Sequence, residues 1–330
     1  MLPVRALASL LVVAVVWSSE DIPTAWRKVP LGLDLYMPVP EDNPLTPDKI
    51  ALGRRLFSDT VLSRDRTKAC RSCHEPERAF TDGRAVAVGV RGQTGERSAP
   101  ALINRGYGRS FFWDGRAPTL EAQVVEPIAS PKELDLPIDE AVGRLSGAPE
   151  YAATFRVVFD RDVNASDLAR ALATYVRSIL SGDSPLDRYL NGDTGALSAE
   201  ARRGLGIFRG RGNCAACHVG PTLSDEEFHN TGVAWKDGTL RDAGRFAVTK
   251  READRGAFKT PTLREIALTA PYMHDGSMPT LEEVVDFYDR GGNPNPFRDQ
   301  ELSRLSLAPD EKRALLAFLR SLGGTIRAHE

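Results

Sequence analysis

Two stretches of the chain place apolar residues along one face of a helix. In residues 167–180 the apolar positions follow the helical spacing i, i+3, i+4, i+7, i+8 and i+11. These positions are Leu168, Ala171, Leu172, Tyr175, Val176 and Ile179. Ser166 stands before them as a candidate N-cap. Residues 309–322 show a similar face, and Gly323 follows as a stop signal. We predict an amphipathic helix in each stretch.

The two predicted helices are also similar in sequence. Residues 171–179 read ALATYVRSI, and residues 314–322 read ALLAFLRSL. A shorter helical pattern precedes each of them, ending near Phe57 in the first half and near Phe208 in the second. The repetition indicates a duplication. We place the boundary in the polar stretch 181–194, which predicts domains at residues 19–185 and 186–330.

Composition agrees with two loop-rich globular domains. The chain has 330 residues, of which 42% are apolar, and its 28 Gly and 22 Pro exceed the usual share of about 12%. The 43 Lys and Arg are balanced by 45 Asp and Glu, for a net charge of −2. Charge therefore gives no reason to expect a nucleic acid partner.

The N-terminus has the pattern of a secretory signal. Residues 1–5 form a short region made basic by Arg5, and residues 6–17 form an apolar stretch that is too short to span a bilayer. We predict a signal peptide at residues 1–18, with cleavage after Ser18; the alternative is an uncleaved anchor. No later apolar run approaches about 18 residues, so we expect a mature protein that is free of the membrane, in the periplasm.

All four cysteines and two of the five histidines form the pattern CxxCH, which occurs twice. The residues are Cys70, Cys73, His74, Cys214, Cys217 and His218. CxxCH is the attachment signature of c-type haem, in which two thioethers hold the porphyrin and the imidazole binds the iron. A zinc site would need paired CxxC motifs, and a thioredoxin-like redox pair would need a βαβ context. The sequence shows no such βαβ context.

Each predicted domain thus contains a helix, a haem motif, irregular loops and a second helix. Class I cytochromes c have this layout, in which two terminal helices cross and the haem replaces much of the core. We predict an all-α, loop-rich fold with two class I cytochrome c-like units, each binding one c-type haem covalently. We call the haem at residues 70–74 the first haem and the haem at residues 214–218 the second haem.

Further motifs make the mature chain resemble the bacterial di-haem cytochrome c peroxidase and MauG family. They are Phe112 to Arg116, then Leu120, Gln123, Pro127 and Glu133, and residues 269–276 with the sequence TAPYMHDG. The resemblance implies one haem that reacts with peroxide, one haem that transfers electrons, and a calcium ion between the units.

The resemblance also assigns the sixth ligand of each iron. Many family peroxidases have a distal His after the first motif, but here no His lies between His74 and His218. The first haem therefore resembles the open site of MauG. At the second haem, family peroxidases have a Met fourteen residues after the position of His274, whereas this chain has Tyr288, as MauG does. A phenolate ligand would lower the potential of that haem. Met273 or Met278 is the alternative ligand.

Three residues match the catalytic positions of the family. Glu133 matches the distal carboxylate and is the candidate general acid–base, with a pKa that burial would raise. Gln123 would orient peroxide by a hydrogen bond. Trp113 matches the indole between the haems and is the candidate electron relay. On residue type alone, Glu133 would be a solvated residue and Trp113 a core residue.

The remaining family positions concern His274 and calcium. His274 matches a residue near the second haem, where it would bond a propionate. The carbonyls of Thr269 and Pro271 match calcium ligands. Ser98 stands where the family has an Asn ligand, with Asn104 close by in sequence. We assign no role to two further residues, His229 and His329, and expect both at the surface.

Three functional hypotheses follow. The first is a peroxidase that takes electrons from a small cytochrome c or cupredoxin at the second haem. The second is a MauG-like enzyme that oxidises residues of a partner protein. The third is a non-enzymatic carrier with two haems, which an open iron disfavours.

Overall fold

The computed structural model describes residues 29–328. The predicted signal peptide and His329 lie outside these residues. Ten α-helices occur in the described part: α1 Pro47–Ser58, α2 Leu120–Ala129, α3 Ile138–Ser146, α4 Pro149–Phe159, α5 Ala165–Ser178, α6 Pro185–Leu190, α7 Ala199–Arg209, α8 Phe246–Thr249, α9 Leu281–Asp289 and α10 Pro309–Arg320. None of the helices between residues 29 and 328 has the length and apolar character of a bilayer span.

Strands are few and short. They are β1 Leu180–Gly182, β2 Phe228–His229, β3 Trp235–Lys236, β4 Thr239–Leu240, β5 Phe258–Lys259 and β6 Thr325–Arg327. They form three antiparallel pairs, β1 with β6, β2 with β5, and β3 with β4. The chain is therefore mostly helical, as predicted, with small ribbons between the helices.

Each half is built on one helix crossing that needs a glycine. Helix α1 packs on α5 in the first half, and α7 packs on α10 in the second. A Cβ at Gly53 would lie 2.1 Å from the carbonyl oxygen of Ala171, and one at Gly204 would lie 2.0 Å from that of Ala314. A larger residue would push the helices apart. The crossings bury two apolar clusters, one between residues 50 and 179 and one between residues 186 and 322.

The helix ends differ from the predicted ones. Helix α5 begins at Ala165 because Asn164, not Ser166, is the N-cap, and its side chain accepts a hydrogen bond from the Asp167 backbone N–H. The helix ends at Ser178 rather than at residue 180, since Leu180 already pairs with Arg327 in the β1–β6 ribbon. Helix α10 ends at Arg320, two residues before the predicted end.

The duplication extends further than the sequence indicated. A turn at residues 111–117 is closed by an antiparallel bridge, and residues 272–278 form the same turn in the second half. A threonine then caps each following helix, Thr119 for α2 and Thr280 for α9. The two turn–helix units are structural equivalents, so position 127 on α2 corresponds to position 288 on α9.

Candidate functional site

A cavity of about 660 Å³ lies at the junction of the two halves and contains both CxxCH motifs in its wall. The motif residues that line it are Cys73, His74, Cys214, Cys217 and His218. In each motif the first cysteine begins a 3₁₀ turn, and its carbonyl accepts the backbone N–H of the histidine at 3.0 Å. No disulfide joins any of the four cysteines, all of which lie in the described residues. Both motifs can therefore present two thiols and one imidazole to the same space.

The ring nitrogens of both motif histidines are arranged as an iron ligand requires. His74 Nδ1 lies 2.8 Å from the carbonyl oxygen of Phe80, and His218 Nδ1 lies 3.0 Å from that of Leu223. A carbonyl can only accept, so each Nδ1 carries the proton and each Nε2 keeps its lone pair for a metal. Burial lowers the pKa of both imidazoles, which favours their neutral form. These residues fit two c-type haems.

Helices α2 and α9 carry different residues at the equivalent positions 127 and 288. Tyr288 lies on α9 and lines the cavity, where it faces Cys214 and Cys217, and burial raises the pKa of its phenol. The corresponding residue on α2 is Pro127, which also lines the cavity. A pyrrolidine ring has no donor atom for iron. At this position the second half therefore carries a side chain with a ligand atom, and the first half does not.

The two methionines considered as alternative ligands of the second haem differ in whether they line the cavity. Met273 lines the cavity, whereas Met278 is tied by its backbone to Tyr272 and is not in the cavity wall. Of the two, the structure brings only Met273 together with His218.

Glu133 and Gln123 line the cavity together with His74. The Glu133 backbone is fixed by two hydrogen bonds, from its own N–H to the carbonyl of Ser130 at 3.0 Å and from the Val90 N–H to its carbonyl at 2.8 Å. Its side chain is largely buried, and this burial raises the pKa of the carboxyl group. Glu133 is thus not the solvated residue that its type alone suggests.

Trp113 is held by both halves of the chain. Its indole Nε1 donates to the carbonyl of Ser98 at 2.9 Å, and its own carbonyl accepts the backbone N–H of Lys259 at 2.8 Å. The side chain lines the same cavity as His74 and His218. It therefore lies at the junction, where the resemblance placed a relay.

Some of the residues considered for calcium binding lie together, and one does not. Thr269, Pro271 and Ser98 all line the cavity, and the Ser98 backbone N–H donates to the carbonyl of His274 at 2.7 Å. Asn104 does not join them. Its side chain is buried and pairs with the backbone of Ser181 through both its oxygen and its nitrogen. Neutral oxygens are available for calcium, but Asn104 does not replace the missing Asn.

Two further histidines lie at the cavity. His274 is buried, and its ring stacks on Phe258 with the centroids 3.7 Å apart. His229 was expected at the surface without a role, and this was wrong: it lines the cavity, and its two ring nitrogens bond the carboxylates of Asp299 and Asp225. Its distance in sequence from Asp299 left no signal from which this could be predicted.

Comparisons with known proteins agree with this geometry. The profile of the di-haem cytochrome c peroxidase family matches residues 47–195, and a profile described as RoxA-like, cytochrome c-like matches residues 257–292. The methylamine utilization protein MauG of Methylorubrum extorquens is 41% identical over 87% of this chain and 81% of its own length. The cytochrome c551 peroxidase of Nitrosomonas europaea is 35% identical over 87% of this chain and 83% of its own length.

A solved structure of a MauG-like protein associated with microbial copper homeostasis has a TM-score of 0.82 and 34% identity, with coverage of 94% of this chain and 96% of that protein. The diheme peroxidase BthA from Burkholderia thailandensis, at 24% identity and a TM-score of 0.75, shares the fold. The chain therefore belongs to the di-haem cytochrome c peroxidase and MauG family, whose members are peroxidase-type oxidoreductases with two c-type haems.

Proposed function

We propose that this protein reacts with hydrogen peroxide at the first haem and exchanges electrons through the second haem. The observation that carries the proposal is the shared cavity, whose wall contains His74, His218, Glu133 and Trp113. When bound, the haems supply iron centres that accept and release single electrons. The protein residues decide which centre peroxide can reach and where its protons go.

The difference between α2 and α9 supports the choice of the first haem. Pro127 on α2 has no atom that could bind an iron held by His74, whereas Tyr288 on α9 could supply its phenol oxygen to an iron held by His218. A haem iron with strong ligands on both sides has no place for peroxide. The first haem is then the reactive centre, and the second is the electron port.

Glu133 is the general acid–base of this proposal. Cleavage of the O–O bond needs a group that takes a proton from the near oxygen and returns it to the leaving oxygen. A carboxyl group whose pKa is raised by burial keeps its proton to a higher pH than an exposed one, which suits it to both transfers. Gln123 lies in the same wall and would orient the peroxide by donating a hydrogen bond.

Trp113 is the proposed relay between the two centres. Its indole is anchored in the first half through Ser98, and its backbone is anchored in the second half through Lys259. These bonds fix the ring at the junction, so that electrons from a small cytochrome c or cupredoxin, or from a partner protein, could pass through it.

A second candidate function is MauG-like oxidation of a partner protein, and Tyr288 is the observation that favours it. Mixing the diferric protein with one equivalent of peroxide separates the candidates. A long-lived oxidised state without added reductant supports the MauG-like activity. Rapid turnover that requires reduced cytochrome supports peroxidase activity. Absence of any reaction would contradict both and leave an electron carrier.

We also propose a weak calcium site and a periplasmic location. The carbonyls of Thr269 and Pro271 would bind calcium with Ser98 and water, which is a neutral and incomplete ligand set. The location is supported by the signal-like residues 1–18 and by the covalent haem motifs. The N-terminal sequence of the mature protein, expected to begin at residue 19, tests it.

A further inference from the structure

A buried charge cluster joins the two halves beside the cavity. Arg105 belongs to the first half, and Glu226 and Lys259 belong to the second. Each of the three side chains is less than 13% exposed. Arg105 donates to both carboxylate oxygens of Glu226, at 2.7 and 3.1 Å, and Lys259 Nζ lies 3.4 Å from the same carboxylate. None of these residues has a role in the family match described above.

The two cations reach the cavity, while the carboxylate does not. Arg105 and Lys259 both line the cavity wall next to Phe111, and Glu226 is not part of that wall. Both cations also donate to the carbonyl of Ser110, at 3.1 and 2.9 Å. Glu226 is held behind them in a left-handed backbone conformation, with φ of +59°. The cluster thus presents its positive side to the cavity.

The charges within the cluster do not balance. Among the described residues, the charged groups that act on Lys259 are Arg105 and Glu226, so two cations share one carboxylate. Burial, followed by repulsion from Arg105, lowers the pKa of Lys259 to about 7, whereas the pKa of Glu226 is lowered to about 2 despite its burial. A buried charge without a partner is costly. An anionic group at the cavity wall would stabilise the second cation.

We infer that Arg105 and Lys259 together bind a carboxylate of one of the haems in the junction cavity. This inference rests on the proposed function, because it takes the carboxylate from a haem bound there. Carboxylates are the acidic groups that a haem carries, and a guanidinium with an ammonium is a strong receptor for one. Lys259 also bonds Trp113 through its backbone, so the anchor and the relay share one strand, β5.

The test measures the two midpoint potentials of the holoprotein by optical redox titration, without peroxide. A nearby cation favours the ferrous state, which carries one positive charge fewer than the ferric state. Lys259→Met should therefore lower the potential of one haem, and Lys259→Arg should keep it near the wild-type value. Glu226→Gln should raise it. The matched control is Lys250→Met, because Lys250 is exposed and donates to the carbonyl of Ala247.

Unchanged potentials in both Lys259→Met and Glu226→Gln would overturn the inference. If Lys259→Met fails to incorporate its haems, the sign of the shift in Glu226→Gln decides alone. A free anion is distinguished by adding sodium acetate at constant ionic strength. Potentials that respond to acetate in the wild type but not in Lys259→Met would show a site for a free carboxylate and overturn the haem assignment. If the variants shift the potential as expected but the wild-type protein does not react with peroxide, the proposed function fails and the inference about Lys259 stands.

Discussion

Replacement of Glu133 by Gln removes the proposed proton carrier while keeping the size of the side chain. The backbone bonds that fix residue 133, to Ser130 and from Val90, do not involve the carboxyl group, so the loop should keep its conformation. Both haems should remain attached, since Glu133 belongs to neither CxxCH motif. The expected loss is therefore one of reactivity.

The size of the loss follows from the role. A positioned acid–base group contributes roughly 10²–10⁴-fold to a rate. Gln123 remains in the cavity to orient peroxide, so the lower part of that range applies, about 10²–10³-fold. This corresponds to about 2.7–4 kcal/mol of activation free energy, at 1.36 kcal/mol for each factor of ten.

The burial that raises the pKa of Glu133 also predicts a change in stability: Glu133→Gln should lose reactivity but gain stability relative to the wild type at higher pH. The folded state raises the pKa of Glu133 and so holds this proton more tightly than the unfolded chain does. Its contribution to stability is complete at pH values below the unfolded pKa and falls as the pH rises through the folded pKa. Glu133→Gln cannot ionise, so its melting temperature relative to the wild type should increase as the pH rises above the ordinary glutamate pKa of about 4.3.

The assay is stopped-flow mixing of the diferric protein with peroxide, monitored in the Soret band. The control is Glu150→Gln on α4, because Glu150 is exposed and does not line the cavity. A rate for Glu133→Gln within threefold of the control would refute the assigned role. A melting difference that decreases with pH would refute the reasoning about burial.

Three other changes test the site. Pro127→Met should supply a sixth ligand to the first haem, because position 127 corresponds to that of Tyr288; its ferric spectrum should become low-spin and its reaction with peroxide should slow at least tenfold. Tyr288→Met should raise the potential of the second haem, since a thioether stabilises the ferric state less than a phenolate does; unchanged optical and redox signatures would reject Tyr288 as a ligand. Ser98→Asn should tighten calcium binding several-fold, measured by calorimetry on chelator-treated protein, because an amide oxygen is the ligand that the family has at this position; equal affinity would remove Ser98 from the site.

Short sequence patterns predicted the two haem motifs and the main helices. The CxxCH pattern and the helical spacing are encoded within a few residues, and the structure brings the two motifs to one cavity and pairs the predicted helices. Gly53 and Gly204 stand in the two shorter helical patterns of the sequence, but their contact with the backbone of the crossing helix is visible only in the fold. The start of α5 depends on which of two neighbouring residues caps the helix. Ser166 was the predicted N-cap, whereas Asn164 is the N-cap in the structure.

Contacts between distant segments could not be read from the sequence. His229 meets Asp299, Arg105 meets Glu226, and Asn104 meets Ser181, and each pair is separated by at least 70 residues. No spacing rule connects such residues, because the loops that carry them have no periodic pattern. The equivalence of Pro127 and Tyr288 was present in the sequence, but it became visible only when the two turn–helix units were seen to share one structure.

The central claim is that the iron held by His74 is open on its far side and that the iron held by His218 is not. Electron paramagnetic resonance of the ferric holoprotein, before and after addition of cyanide, tests this most directly. The account predicts one high-spin signal that cyanide converts to low-spin and one low-spin signal that cyanide leaves unchanged. Two low-spin signals that are both insensitive to cyanide would contradict it.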